Sequence, residues 1–113
     1  ATYFGDAEPL YAQLHSLPAD VIALDFTYSS NLMDLVAASG ASKVLGLGLV
    51  DGRNTRLERP ETVAHQIEAL LKRYTFDTIH VLPSCGLEHL PRNSARAKLA
   101  LLANARRLVQ GRE

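Results

Sequence analysis

The chain has 113 residues, of which 47% are hydrophobic and 21% charged, with twelve basic and twelve acidic side chains and a formal net charge of zero. That length suffices for one domain around one core; balanced charge argues against a nucleic-acid partner, and no apolar run approaches the ~18 residues of a membrane span. The single cysteine, Cys85, excludes an internal disulfide and fits a reducing, cytoplasmic setting.

Thr2-Tyr3-Phe4-Gly5 reads as a short strand stopped by Gly5. Asp6 is a candidate cap for a helix whose stripe is Leu10, Leu14 and Leu17, ended by Pro18. Asp20 to Phe26 is a second strand, apolar on both faces until Asp25, as expected of a parallel strand covered on both sides. Ser29, Ser30 and Asn31 are candidate caps for a helix through Leu32, Met33, Leu35 and Val36, stopped by Gly40. Lys43 to Val50 is a third strand with an informative alternation. Leu45, Leu47 and Leu49 share the face that suits a helix layer, whereas Val44, Gly46, Gly48 and Val50 share a face that leaves room or admits another backbone. After the turn Asp51-Gly52-Arg53-Asn54, Pro60 opens a helix with Val63, Ile67, Leu70 and Leu71 on one stripe. Thr78 to Pro83 is the fourth strand, and it opens into a loop carrying Cys85, Glu88 and His89. Asn93 is a candidate cap for a last helix with Ala95, Leu99, Leu102 and Ala103 on one face.

The expected fold class is therefore α/β: four consecutive βα units over residues 1–113 in a single domain, with parallel strands and right-handed crossovers. Four units make half of a TIM-type (β/α)8 barrel, whose usual length is ~250 residues. A small open four-stranded sheet is the alternative. The chain starts without a methionine and almost inside a strand-like run, so it reads as a fragment or a processed product. Half a barrel exposes edge strands and apolar surface, which calls for its missing half or a second copy.

Candidate site residues follow from strand ends, where ligands gather in α/β folds. Asp25 closes an otherwise apolar strand, and a buried carboxylate needs a partner or a metal. It serves either as a site residue or as an acceptor for backbone N–H groups of a nearby loop. Asp51, Arg53 and Asn54 are candidate substrate-binding residues, since arginine grips carboxylates with two N–H groups; a plain turn held by Asp51 is the other reading. Cys85 is a candidate metal ligand or simply a small buried hydrophobe. No Cys-x-x-Cys or His-x-x-x-His pair occurs, so the local metal signal is weak. His80 reads as a core histidine within its strand. His15 and His65 read as solvated residues on helices. Gly46-x-Gly48 lacks the rest of a dinucleotide fingerprint.

Four stretches together resemble the cobalamin-independent methionine synthase family: Thr2-Tyr3-Phe4-Gly5-Asp6, Leu17-Pro18-Ala19-Asp20-Val21-Ile22-Ala23-Leu24-Asp25, Gly48-Leu49-Val50-Asp51-Gly52-Arg53-Asn54-Thr55 and Pro83-Ser84-Cys85-Gly86-Leu87. The likeness runs in order along the whole chain. It implies the second half of a (β/α)8 barrel, most similar to the family's amino-terminal barrel or its archaeal-type homologues. It also implies transfer of a methyl group from methyltetrahydrofolate to homocysteine, giving methionine, in an enzyme whose zinc is held by a His-x-Cys pair, a Glu and a later Cys. Cys85 stands at the later Cys and Asp25 at the Glu, while the His-x-Cys positions fall at Ala1 and Tyr3. The matched metal positions are thus Cys85 and Asp25 alone, and the expectation is that this chain by itself binds no zinc and transfers no methyl group. Two other functions stay open: a non-catalytic binding or assembly module on the same scaffold, and a corrinoid or thiol methyltransferase of the same superfamily.

Overall fold

The computed structural model describes residues 1–2, 5–29 and 31–111. Among the described residues the sheet has three strands, β1 (Val21–Asp25), β2 (Val44–Val50) and β3 (Ile79–Pro83), all parallel and in sequence order. Around it stand a 3-10 turn (Glu8–Leu10) and four helices: α1 (Tyr11–Leu14), α2 (Leu32–Ser39), α3 (Pro60–Arg73) and α4 (Arg92–Gln110). Tyr3 and Phe4, the centre of the expected first strand, lie outside the described residues; Thr2 beside them donates its N–H to the Ala23 carbonyl at 2.9 Å.

The alternation of β2 decides the layering. Leu45, Leu47 and Leu49 are buried, together with Ile22 and Leu24 of β1, against Leu32 and Val36 of α2, Val63, Ile67 and Leu70 of α3, and Leu101, Leu102 and Ala105 of α4. Each fully buried leucine contributes on the order of 1.5–3 kcal/mol of transfer free energy. The opposite face carries Ala23, Gly46 and His80 in one row of the register and Asp25, Gly48 and Leu82 in the next. Both glycines mark close approach. A Cβ on Gly46 would lie 2.6 Å from Leu82 Cδ1, and one on Gly48 would lie 2.6 Å from the Leu24 carbonyl oxygen and 3.1 Å from Ser84 Cα.

That glycine face is buried toward the carboxyl ends of the strands, at Asp25, Gly46, Gly48 and Val50, and open at the amino ends. Val21 is 45% exposed and His80 is exposed, so the second face of β1 is uncovered at its amino end, where its composition suggests cover on both sides, and His80 is not a core histidine. The helix after Asp6 is also shorter than its leucine stripe implies. Leu10 and Leu17 are half exposed, and the buried anchor is Tyr11, whose hydroxyl donates to the Gly40 carbonyl at 2.6 Å where Gly40 ends α2 with a φ of 69°. Asp6 acts on the loop after β1 as well as on its own turn. Its Oδ1 accepts from the buried Ser29 hydroxyl at 2.6 Å and from the Glu8 N–H at 2.9 Å, which together hold its carboxyl below its ordinary value. Helix α4 starts at Arg92 after Pro91, so Asn93 lies in its first turn and is not a cap.

Burial of the Tyr11 phenol, with Tyr74 as a second contributor, pushes its pKa up to about 12 from 10.0. The folded state holds this proton more tightly than the unfolded chain. Tyr11's contribution to stability is therefore fully present below pH 10 and is lost as pH rises toward about 12. Urea unfolding across that window is expected to show a steeper loss in wild type than in Tyr11→Phe; parallel curves would contradict this.

Candidate functional site

The carboxyl ends of the three strands bring the sequence-predicted residues to one edge. Asp25, the last residue of β1, is fully buried. Its Oδ1 accepts from the Thr27 N–H at 2.8 Å and the Thr27 hydroxyl at 2.5 Å, and its Oδ2 accepts from Arg53 Nη1 at 3.0 Å. The backbone-acceptor role expected of such a carboxylate is realised, and an ion pair is added to it.

Arg53 comes from the turn after β2. Asp51 holds that turn by accepting the Arg53 N–H on Oδ1 at 2.9 Å and the Asn54 side-chain amide on Oδ2 at 3.0 Å. The same Oδ1 lies 3.2 Å from Arg53 Nε. Arg53 Nη2 donates to Thr27 Oγ1 at 2.8 Å, and the Tyr28 ring lies 4.0 Å from the guanidinium carbon. Partial desolvation opposes the charge on Arg53. The hydrogen bond to Asp25 and the charges of Asp51 and Asp25 outweigh it, so the guanidinium holds its proton more firmly than usual. Asp51, Arg53 and Asn54 are thus brought together, but as a self-paired turn in which Arg53 already grips two carboxylates.

The turn is itself anchored from behind. Glu58 Oε2 accepts the Asp51 N–H at 2.7 Å, and its Oε1 pairs with Lys98 Nζ at 2.8 Å. Lys98 is fully buried in α4 and also donates to the Arg56 carbonyl. Sequence reading missed Lys98 and Glu58. The available signal was the phase of α4: Lys98 precedes Leu101 and Leu102 by three and four residues, on the buried stripe.

Cys85 follows β3 in a small cleft of about 250 Å³ with Thr2, Ala23, Leu82 and Leu87. Ser84 is buried; its hydroxyl accepts the Gly52 N–H at 3.0 Å, which ties the β3 loop to the β2 turn. A Cβ on Gly52 would fall 2.9 Å from Cys85 Sγ, so Gly52 is what allows the thiol to lie against that turn. Glu88 and His89 are exposed and 4.0 Å apart.

These residues do not fit zinc. Both Asp25 oxygens are engaged, Ala1 has no donor side chain, and Tyr3 lies outside the described residues. Among the described residues no group of three or more His, Cys, Asp or Glu is placed to hold a metal ion. Likewise none of the described helices is long and apolar enough to cross a membrane.

Breaking the buried pair behind the turn is expected to be costly. Lys98→Met should lower stability in urea unfolding by about 2–4 kcal/mol, because it leaves Glu58 and the Arg56 carbonyl without their cation. Adding Glu58→Gln to it should recover part of the loss. A Lys98→Met chain as stable as wild type would contradict this.

Comparison with known proteins agrees with the geometry. The family described as "Cobalamin-independent synthase, Catalytic domain" matches residues 5–107. A 5-methyltetrahydropteroyltriglutamate–homocysteine methyltransferase of Streptococcus pneumoniae is 38% identical over 98 residues, covering 83% of this chain and 12% of that enzyme. A methionine synthase of Saccharolobus islandicus is 31% identical over 108 residues, covering 95% of this chain and 32% of that protein. The chain therefore spans a third or less of these relatives. The structure of a B12-independent methionine synthase from Shewanella sp. W3-18-1, in complex with selenomethionine, superposes with a TM-score of 0.74 at 23% identity over 93% of this chain and 30% of that one, which shows a shared α/β fold. The chain belongs to the cobalamin-independent methionine synthase family.

Proposed function

We propose that this chain is the second half of a methionine-synthase-like (β/α)8 barrel, that the whole protein transfers a methyl group from methyltetrahydrofolate to homocysteine, and that the chain is inactive alone. The observation that carries this is the second apolar face of α4. Its buried stripe is Leu101, Leu102, Ala105 and Val109, yet Leu99 is 55% exposed and Ala103 is exposed as well. Leu99 and Ala103 line a groove of about 710 Å³ with Ile79, Val81 and Leu82 of β3. Among the described residues β3 pairs on one side only. An unpaired strand edge, a glycine face exposed at Val21 and His80, and an apolar groove beside them are what a barrel wall shows when its neighbours are missing. A doubly wound sheet would carry helices on both faces.

In this reading the chain supplies one wall of the barrel and part of its mouth. Asp51, Arg53 and Asn54 form a polar rim there, and the exposed Thr27 and Tyr28 extend it. The rim meets the polar groups of substrate while the buried ion pairs keep it rigid. A cytoplasmic setting belongs to the same proposal, since the one cysteine is a free thiol. A non-catalytic binding or assembly module is the second reading. The engagement of Asp25 by Arg53 favours it, because the carboxylate is then structural.

Co-expression with the upstream half of a methionine-synthase barrel tests the proposal. A one-to-one complex is expected, whereas the chain alone should self-associate or bind an apolar dye and form no methionine from homocysteine and methyltetrahydrofolate. A compact monomer at low micromolar concentration that binds neither dye nor the upstream half would overturn it.

A further inference from the structure

A carboxylate taken out of water on the last residue of a strand is costly to keep charged unless donors and a cation meet it. Two kinds could serve Asp25: a metal ion or an organic cation of the chain itself. We propose that Arg53 is the resident cation of this strand end, its guanidinium standing where the family resemblance implies a divalent metal, so that the centre is built around a planar cation and not around zinc.

The surroundings are those of a guanidinium site in every direction. In the plane, Asp25 Oδ2 receives Nη1 at 3.0 Å, Thr27 Oγ1 receives Nη2 at 2.8 Å and Asp51 Oδ1 lies 3.2 Å from Nε. These three edges match the fork of N–H groups that only a guanidinium presents. Above the plane, the Tyr28 ring lies 4.0 Å from the central carbon, a contact that suits a flat and weakly hydrated cation. A metal ion would gain nothing from the ring face and would have to displace Arg53 from Asp25. The remaining carboxylate oxygen accepts two donors from Thr27 at 2.8 and 2.5 Å, which fills both of its lone pairs. Cys85 belongs to a separate arrangement: its sulfur lies against Gly52 and beside the Ser84 hydroxyl at 3.9 Å. The inference uses family membership only for the correspondence of Asp25, and its readouts do not depend on methyl transfer.

Chemical rescue tests it. Arg53→Ala should lower the melting temperature by about 5–10 °C, since it strands a buried carboxylate. Millimolar methylguanidinium should recover at least half of that loss. It should leave wild type and the Asp25→Asn, Arg53→Ala double variant unmoved, which separates refilling of a site from general stabilisation. A rescue that is absent, or equal in all three proteins, overturns the proposal. Wild type supplies an arm that needs no variant to fold. Zinc should not raise its melting temperature, and cobalt(II) should give no thiolate charge-transfer band. One equivalent of zinc or cobalt held by wild type and lost in Cys85→Ser overturns the proposal whatever the variants do.

Discussion

The burial of one carboxylate governs the site edge of this molecule. Asp25 ends β1 with no exposure, and its register partner is Gly48, whose missing side chain lets the neighbouring backbones close in. A charge in that position is tolerated only if every lone pair finds a donor and a cation stands nearby. Thr27 supplies the donors two residues on, and Arg53 supplies the cation from the next loop. Arg53 in turn needs Asp51 to orient it, Asp51 hangs from Glu58, and Glu58 is balanced by Lys98 in α4. The run of charges links β1, the turn after β2 and the last helix. Three elements far apart in sequence are fixed to one another by the cost of leaving any one member unpaired.

The other organising fact is the one-sidedness of the sheet. All the apolar side chains of β2 that lean toward the helices are buried, whereas the glycine face is buried toward the carboxyl ends, at Asp25, Gly48 and Val50, and exposed at Val21 and His80. Ion pairs lock the strand ends, while the groove between β3 and α4 leaves apolar surface of the kind that invites a covering element. This division of labour suits a barrel segment whose mouth is set in advance and whose wall is completed by neighbouring units, as proposed.

Where a periodicity was undiluted, the elements were legible from residues alone. The leucine–glycine alternation gave β2 and its two faces. Val63, Ile67 and Leu70 gave α3, with Pro60 at its first residue. The likeness to the family was legible because it rests on four stretches in order, and the relatives bear it out. The first helix was misjudged because Leu10, Leu14 and Leu17 suggest a stripe, whereas the buried anchor is Tyr11, held by a hydrogen bond to Gly40 that no spacing rule reveals. The face of α4 was read only in part, for an electrostatic reason. Apolar periodicity picks out Ala95, Leu99, Leu102 and Ala103, of which Leu102 is buried; Lys98 lies on the buried stripe with its ammonium on Glu58, and Leu99 and Ala103 are left on the groove side. Asp25 was marked as a strand-end carboxylate with two possible roles, and Arg53 as a ligand for a carboxylate. That each is the other's partner depends on a contact 28 residues apart, which the sequence holds but does not display.

The central claim is that the charges along the carboxyl edge act as one unit. A double-mutant cycle between Lys98→Met and Arg53→Met, read by urea unfolding, tests it most directly, because Lys98 reaches the turn that carries Arg53 through Glu58 and the Asp51 N–H and through the Arg56 carbonyl. A coupling of at least about 0.5 kcal/mol is expected if the edge is a unit. Effects that add to within about 0.3 kcal/mol would show two independent ion pairs and contradict the claim.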